Sequence, residues 1–114
     1  MLRIKRVYEE PSPSDGLRIL VDRIWPRGMS KDRAHVDRWD RDLGPSNELR
    51  KWFGHDPALF DEFARRYRAE LREQAERIAE IRSVAAKQTV TLVYSARDEQ
   101  HNQAVVLAAV IGEM

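Results

Sequence analysis

Two short apolar runs, residues 17–21 (LRILV) and 89–94 (TVTLVY), lie about 70 residues apart, and each breaks abruptly into polar sequence. Both read as strands, the second β-branched and aromatic throughout, and the mostly apolar character of the first suits a strand covered on both faces. A connection of that length, with helical periodicity along much of it, favours parallel pairing with helices laid on the sheet. A third β-rich run, residues 2–8 (LRIKRVY), half-alternates polar and apolar positions, as expected near a sheet edge. The eight residues 9–16 that follow it include two prolines and Asp15-Gly16. They are too few for a helical crossover but enough for a hairpin or an extended crossing, so the direction of the first strand stays open. The expected architecture is therefore α/β: a small, mostly parallel sheet of about three strands packed with helices in one domain.

The helices announce themselves by their ends. Ser30 is placed to cap a short helix, and Gly44-Pro45 closes the stretch that contains Trp39, which reads as helical in pieces. Ser46 caps residues 47–53 and Gly54 stops them. Asp56-Pro57 joins an N-cap acid to proline at the first helical position. Phe60, Phe63, Ala64, Tyr67 and Leu71 then trace one buried face, with a bend expected near Glu73 or Gln74 before Ile78, Ile81 and Ala85. Asp98 is placed to cap a last helix holding eight consecutive apolar residues, 104–111, which should pack deep against the sheet.

If the two strands run parallel, their carboxyl ends share one edge, where open α/β sheets bind ligands. Two polar clusters then meet there: Asp22, Arg23, Trp25 and Arg27 after the first strand, and Ser95, Arg97, Asp98, His101 and Asn102 after the second. Arginines at a strand end beside a helix N-terminus make an anion site, through paired donors and the helix dipole. His101, placed in the first turn of the last helix, is the candidate proton carrier, and Trp25 offers a flat surface for a ring. Each residue also has a plain structural use. Asp22 can pair with Arg23 or Arg97 to lock a loop, Asp98 can serve only as a cap, and Trp39 and Trp52 can be core residues.

Other chemistries are closed off. With no cysteine there is no disulfide, thiolate nucleophile or zinc–thiolate cluster, and a reducing cytoplasm is the natural setting. His35, His55 and His101 lack metal-ligand spacing, the glycines form no phosphate loop, and Ser95 lacks the flanking glycines of a nucleophile elbow. No cofactor is implied. The first eight residues do not resemble a secretory leader, and no stretch reaches the roughly 18 apolar residues of a membrane span. A net charge of +1 gives no global pull toward nucleic acid. Local basic stretches exist, Arg3, Lys5, Arg6 and Arg18 at one place and Arg65, Arg66, Arg68 and Arg72 at another, the second diluted by Asp61, Glu62, Glu70 and Glu73.

Several strings together resemble a family. Ile4-Lys5-Arg6-Val7-Tyr8, the Asp22-Arg23-Ile24-Trp25-Pro26-Arg27-Gly28 run, Leu49-Arg50-Lys51-Trp52-Phe53-Gly54-His55-Asp56-Pro57, and Thr91 to Asp98 with His101-Asn102-Gln103-Ala104 look like the bacterial YeaO-like proteins. The likeness spans nearly the whole chain. It implies a compact cytoplasmic α/β domain and carries over no reaction, substrate or cofactor. Longer proteins of the same group bear an Asp-Val-Arg string after one strand and Cys-His-Arg near the end. Here Asp22-Arg23 and His101-Asn102 stand in those places, and a thiol-based reaction cannot operate. Three readings follow: binding of a small anion such as a nucleotide, phosphate ester or carboxylate at the strand ends, a nucleic-acid or protein interaction module, or a purely structural charge network. The oligomeric state is left open.

Overall fold

The structure, a computed structural model, describes residues 1–113. Its sheet has four strands, all parallel: β1 (Leu2–Arg6), β2 (Leu17–Leu20), β3 (Arg38–Trp39) and β4 (Val90–Tyr94). Their order is β1-β4-β2-β3, so the last strand in the chain lies between the first two. That order settles the direction of β1. Residues 7–16 must return along a strand of about 16 Å while passing over β4, a span of about 20 Å. Ten residues reach about 33 Å when extended, so an extended crossing with one 3-10 turn at Pro13–Asp15 suffices.

Alternation sorts the strands onto two faces. Ile19 and Val21 of the β2 segment and Val90, Leu92 and Tyr94 of β4 face a core built by α3 (Phe60–Leu71), α4 (Ala75–Ala85) and α5 (Gln103–Gly112). Leu20 and Val93 face the other way, into a smaller cluster with Val7, Met29 and Ala34. The extended crossing and α1 (Lys31–Ala34) cover that second face in place of long helices. Beneath the crossing sits a buried polar knot. Asp15 accepts from Arg18 at 2.6 Å and from Lys5, while its carbonyl accepts the Thr91 hydroxyl.

Most helix ends fall where their sequence signals lie. Ser46 accepts the Leu49 amide at the start of α2 (Asn47–Phe53), and Gly54 closes it in the left-handed conformation. Asp56 caps a proline-led turn into α3, and a 3-10 turn at Arg72–Gln74 separates α3 from α4. Two elements differ from expectation. The segment around Trp39 supplies β3, a two-residue strand on the open side of β2, where helix was expected. Asn102, not Asp98, caps α5 by accepting the Val105 amide. Asp98 instead closes a turn, accepting from Gln100 and His101, so His101 lies before the helix and not in its first turn.

Candidate anion cleft at the strand ends

Beyond the carboxyl ends of β2 and β4 the chain encloses a cleft of about 230 Å³. Strand pairing continues to the rim, where the Val21 amide donates to the Val93 carbonyl; Asp22, just past that bond, and Ser95, the residue after β4, both line the cleft. The Ser95 amide donates to Asp22 at 3.0 Å, and the side-chain amide of Gln103, the first residue of α5, donates to it as well. Asp22 pairs with neither Arg23 nor Arg97, so the lock expected of a loop ion pair is made by neutral donors instead.

Three arginines enter, two from the loop after β2 and one from α2. Arg23 follows Asp22 directly and is held by the carbonyls of Pro45 (2.8 Å) and Gly44 (2.9 Å). Glycine is required at position 44, because a Cβ there would stand 2.7 Å from the Arg23 backbone nitrogen. Arg27 comes from the same loop, and Arg50 reaches in from α2. Among the described residues, none of the three makes an ion pair with a carboxylate. Arg50 Nε is moreover buried with no hydrogen-bond partner, and only a 3.5 Å contact from its Nη2 to Asn47 steadies the group. The walls are apolar: Trp25, Pro26, Pro45, Phe53 and Phe63, with the two phenylalanine rings stacked at 4.2 Å. Trp25 is fixed by its indole N–H on the Met29 carbonyl at 2.6 Å and by Trp39 at 5.4 Å.

The structure thus gathers Asp22, Arg23, Trp25, Arg27 and Ser95 around one cleft and leaves four other named residues out of its lining. Arg97 is exposed. His101 bonds Asp98 at 2.8 Å and rests edge-on against Phe60, and Asn102 is buried as the cap of α5. The histidine that does line the cleft is His55, held at φ 59°, in a left-handed backbone that suits few non-glycine residues. Arg50, His55 and Gln103 were missed as site residues. Arg50 did carry a signal, since it lies three residues before Phe53 and so shares the face that α2 turns to the core.

Burial pushes the Asp22 carboxyl above its ordinary value, against the opposing pull of Ser95, Gln103 and the charge on His55. The positive end of the α5 dipole lies beside it and offsets part of the burial cost. A carboxylate with a raised pKa gives stability that is complete below its ordinary value and is lost as pH rises through the raised one. Asp22→Asn is therefore expected to raise Tm at neutral pH and to lose that advantage in acid, with Gln103 turning its amide to meet the new one. Thermal melts of both proteins across pH check this. A variant that melts lower at neutral pH would show that the carboxylate's hydrogen bonds outweigh its burial.

Of the basic stretch at the first two strands, Arg3 is exposed while Arg18 and Lys5 are engaged with Asp15. Arg18 is 3% exposed and donates to Asp15, Ala34 and His35, and Lys5 also binds Asp15. On α3, Arg65 and Arg66 pair with Glu62, and Arg68 pairs with Glu113. No helix among the described residues is long and apolar enough to cross a membrane.

A family model described as the inactive DUF488-N3 subclade matches residues 1–114. The chain belongs to this subclade. An uncharacterized protein of Mycobacterium tuberculosis, Rv3073c, is 46% identical over 110 residues, 96% of this chain and 92% of the relative. The uncharacterized protein YeaO of Escherichia coli is 43% identical over 107 residues, 94% and 93% of the two chains, which bears out the YeaO-like resemblance. No solved structure matches the chain. Residues 22–28 and 49–57, which carried the YeaO-like resemblance, supply much of the cleft wall: Asp22, Arg23, Trp25, Arg27, Arg50, Phe53 and His55.

Proposed function

We propose that this chain binds a small organic anion in the cleft between the β2 and β4 strand ends and α2, without acting on it chemically. The observation that carries this reading is the Arg50 guanidinium, whose buried Nε has no partner, at a cleft where Arg23 and Arg27 also lack carboxylates. A buried donor left without a partner costs about 1–3 kcal/mol, and more when charged. An anion placed among these arginines recovers that loss with charge-assisted bonds. At about 230 Å³ the cleft falls below the roughly 300–1,000 Å³ that holds drug-sized ligands, which favours a carboxylate or small phosphate ester over a nucleotide. The description of the subclade as inactive, carried over to this chain, supports binding over catalysis.

Thermal shift with inorganic phosphate, benzoate, phenylpropionate and glycerol phosphate tests it. A ligand at about a hundred times its Kd adds nearly 3 kcal/mol, several degrees in Tm for a domain of this size. Arg50→Gln and Arg23→Gln are expected to abolish the shift, while Arg97→Ala and His101→Ala keep it. The proposal fails if no anion raises Tm, or if the shift survives in both Arg50→Gln and Arg23→Gln.

A further inference from the structure

The cleft that gathers three arginines also holds the opposite charge. Asp22 lines it and is 6% exposed. Its carboxylate takes the Ser95 amide at 3.0 Å and the Gln103 side-chain amide, both neutral donors. No lysine, arginine or histidine nitrogen among the described residues forms a salt bridge with it. A buried carboxylate without a cation is an expensive arrangement, of which the α5 dipole relieves only part. A carboxylate accepts about four hydrogen bonds, so with two in place it has acceptor capacity left for a ligand donor.

This arrangement discriminates among anions. A plain anion gains the arginines but is brought close to a second negative charge in a partly water-excluded space, where repulsion is strong. A plain amine meets Asp22 but faces the arginines. A molecule carrying both charges satisfies both ends, and the walls formed by Trp25, Pro26, Phe53 and Phe63 take an apolar body. Building on the anion-binding reading, we propose that the ligand is dipolar: an anionic group directed at Arg23, Arg27 and Arg50, an ammonium donating to Asp22, and a hydrophobic body of the size of an apolar α-amino acid. Asp22 is then the residue that sets specificity, and the arginines supply the general affinity.

The test is calorimetric titration of the whole chain with three matched compounds: phenylalanine, phenylpropionate, which lacks the ammonium, and phenethylamine, which lacks the carboxylate. Phenylalanine is expected to bind at least about tenfold more tightly than phenylpropionate, the worth of one charge-assisted bond. Phenethylamine is expected not to bind. The set of leucine, isocaproate and isoamylamine repeats the comparison with a slimmer body. Asp22→Asn is expected to erase the preference, leaving acid and amino acid equal. The comparison in the unaltered protein stands even if that variant fails to fold. Equal binding of the plain acid and the amino acid would overturn the dipolar ligand and leave the anion site standing. Binding of none of the six compounds would overturn the dipolar ligand, and the anion site would then rest on the phosphate, benzoate and glycerol phosphate melts.

Discussion

Asp15→Ala is expected to lower stability by about 3–5 kcal/mol, which for a domain of this size lowers Tm by more than about 10 °C. The reason lies in Arg18, which is 3% exposed on the loop-covered face of the sheet. Its guanidinium donates to Asp15 at 2.6 Å, to the Ala34 carbonyl at 2.8 Å and to the His35 carbonyl at 3.0 Å. Removing the carboxylate leaves a buried cation held only by carbonyls, strips the Ser12 amide of its acceptor and leaves Lys5 only the Glu10 carbonyl. The pH signature is specific. Burial alone would raise the Asp15 pKa, but the Ser12 amide, Lys5 and Arg18 together bring it below the ordinary 3.8. A lowered carboxyl contributes stability that is complete above the ordinary value and is lost as pH falls through the lowered one. The gap between wild type and variant should therefore be constant near neutrality and narrow only in strong acid. Urea unfolding measures it, and a loss below about 1 kcal/mol would mean that Arg18 reaches water in solution. Adding Arg18→Met to Asp15→Ala should recover part of the loss, because the orphaned charge goes with it.

Gly16→Ala should be comparably severe, at about 4 kcal/mol, for a steric reason. Gly16 sits at φ 63°, and a Cβ there would stand 2.1 Å from the Thr89 carbonyl oxygen, a backbone atom at the start of β4. The strain of that backbone region and an overpacked contact contribute about 1–3 kcal/mol each. The displaced carbonyl is also the one that accepts the Leu17 amide at 3.0 Å and so sets the β2–β4 register. Gly28→Ala separates the two terms, since Gly28 has φ 74° but an added Cβ there meets nothing within 4 Å. Its cost should be backbone strain alone. Denaturant melts giving equal losses for the two variants would show that the Thr89 contact relaxes.

The helix boundaries were legible because each is written in a few adjacent residues: Ser46 with Gly54, Asp56 with Pro57, the break at residues 72–74. So was the edge of the sheet that carries the cleft, because Asp22 and Ser95 lie within two residues of the ends of β2 and β4. What escaped is decided by distant partners. β3 is two residues long and exists because β2 has an open side, through Ile19 beside Arg38 and Leu20 beside Trp39. Asp98 and Asn102 are equally good cap residues, and the choice of Asn102 follows from where the apolar helix seats on the core. In the same way the sequence cluster at residues 95–102 suggested Arg97 and His101 as partners of Arg23. The chain turns outward after Ala96, and the third arginine and the histidine of the cleft come from α2 and the turn that follows it.

The strand order also dictates when things happen. β1 and β2 do not touch each other; each pairs with β4, which is made after four-fifths of the chain. During synthesis both wait with open edges until residue 94 leaves the ribosome, and closing two long loops at once is the slow step such topologies impose. The Asp22–Ser95 bond spans the same junction. The cleft and the centre of the sheet therefore come into being in a single event, and no half-made form of the protein has the cleft.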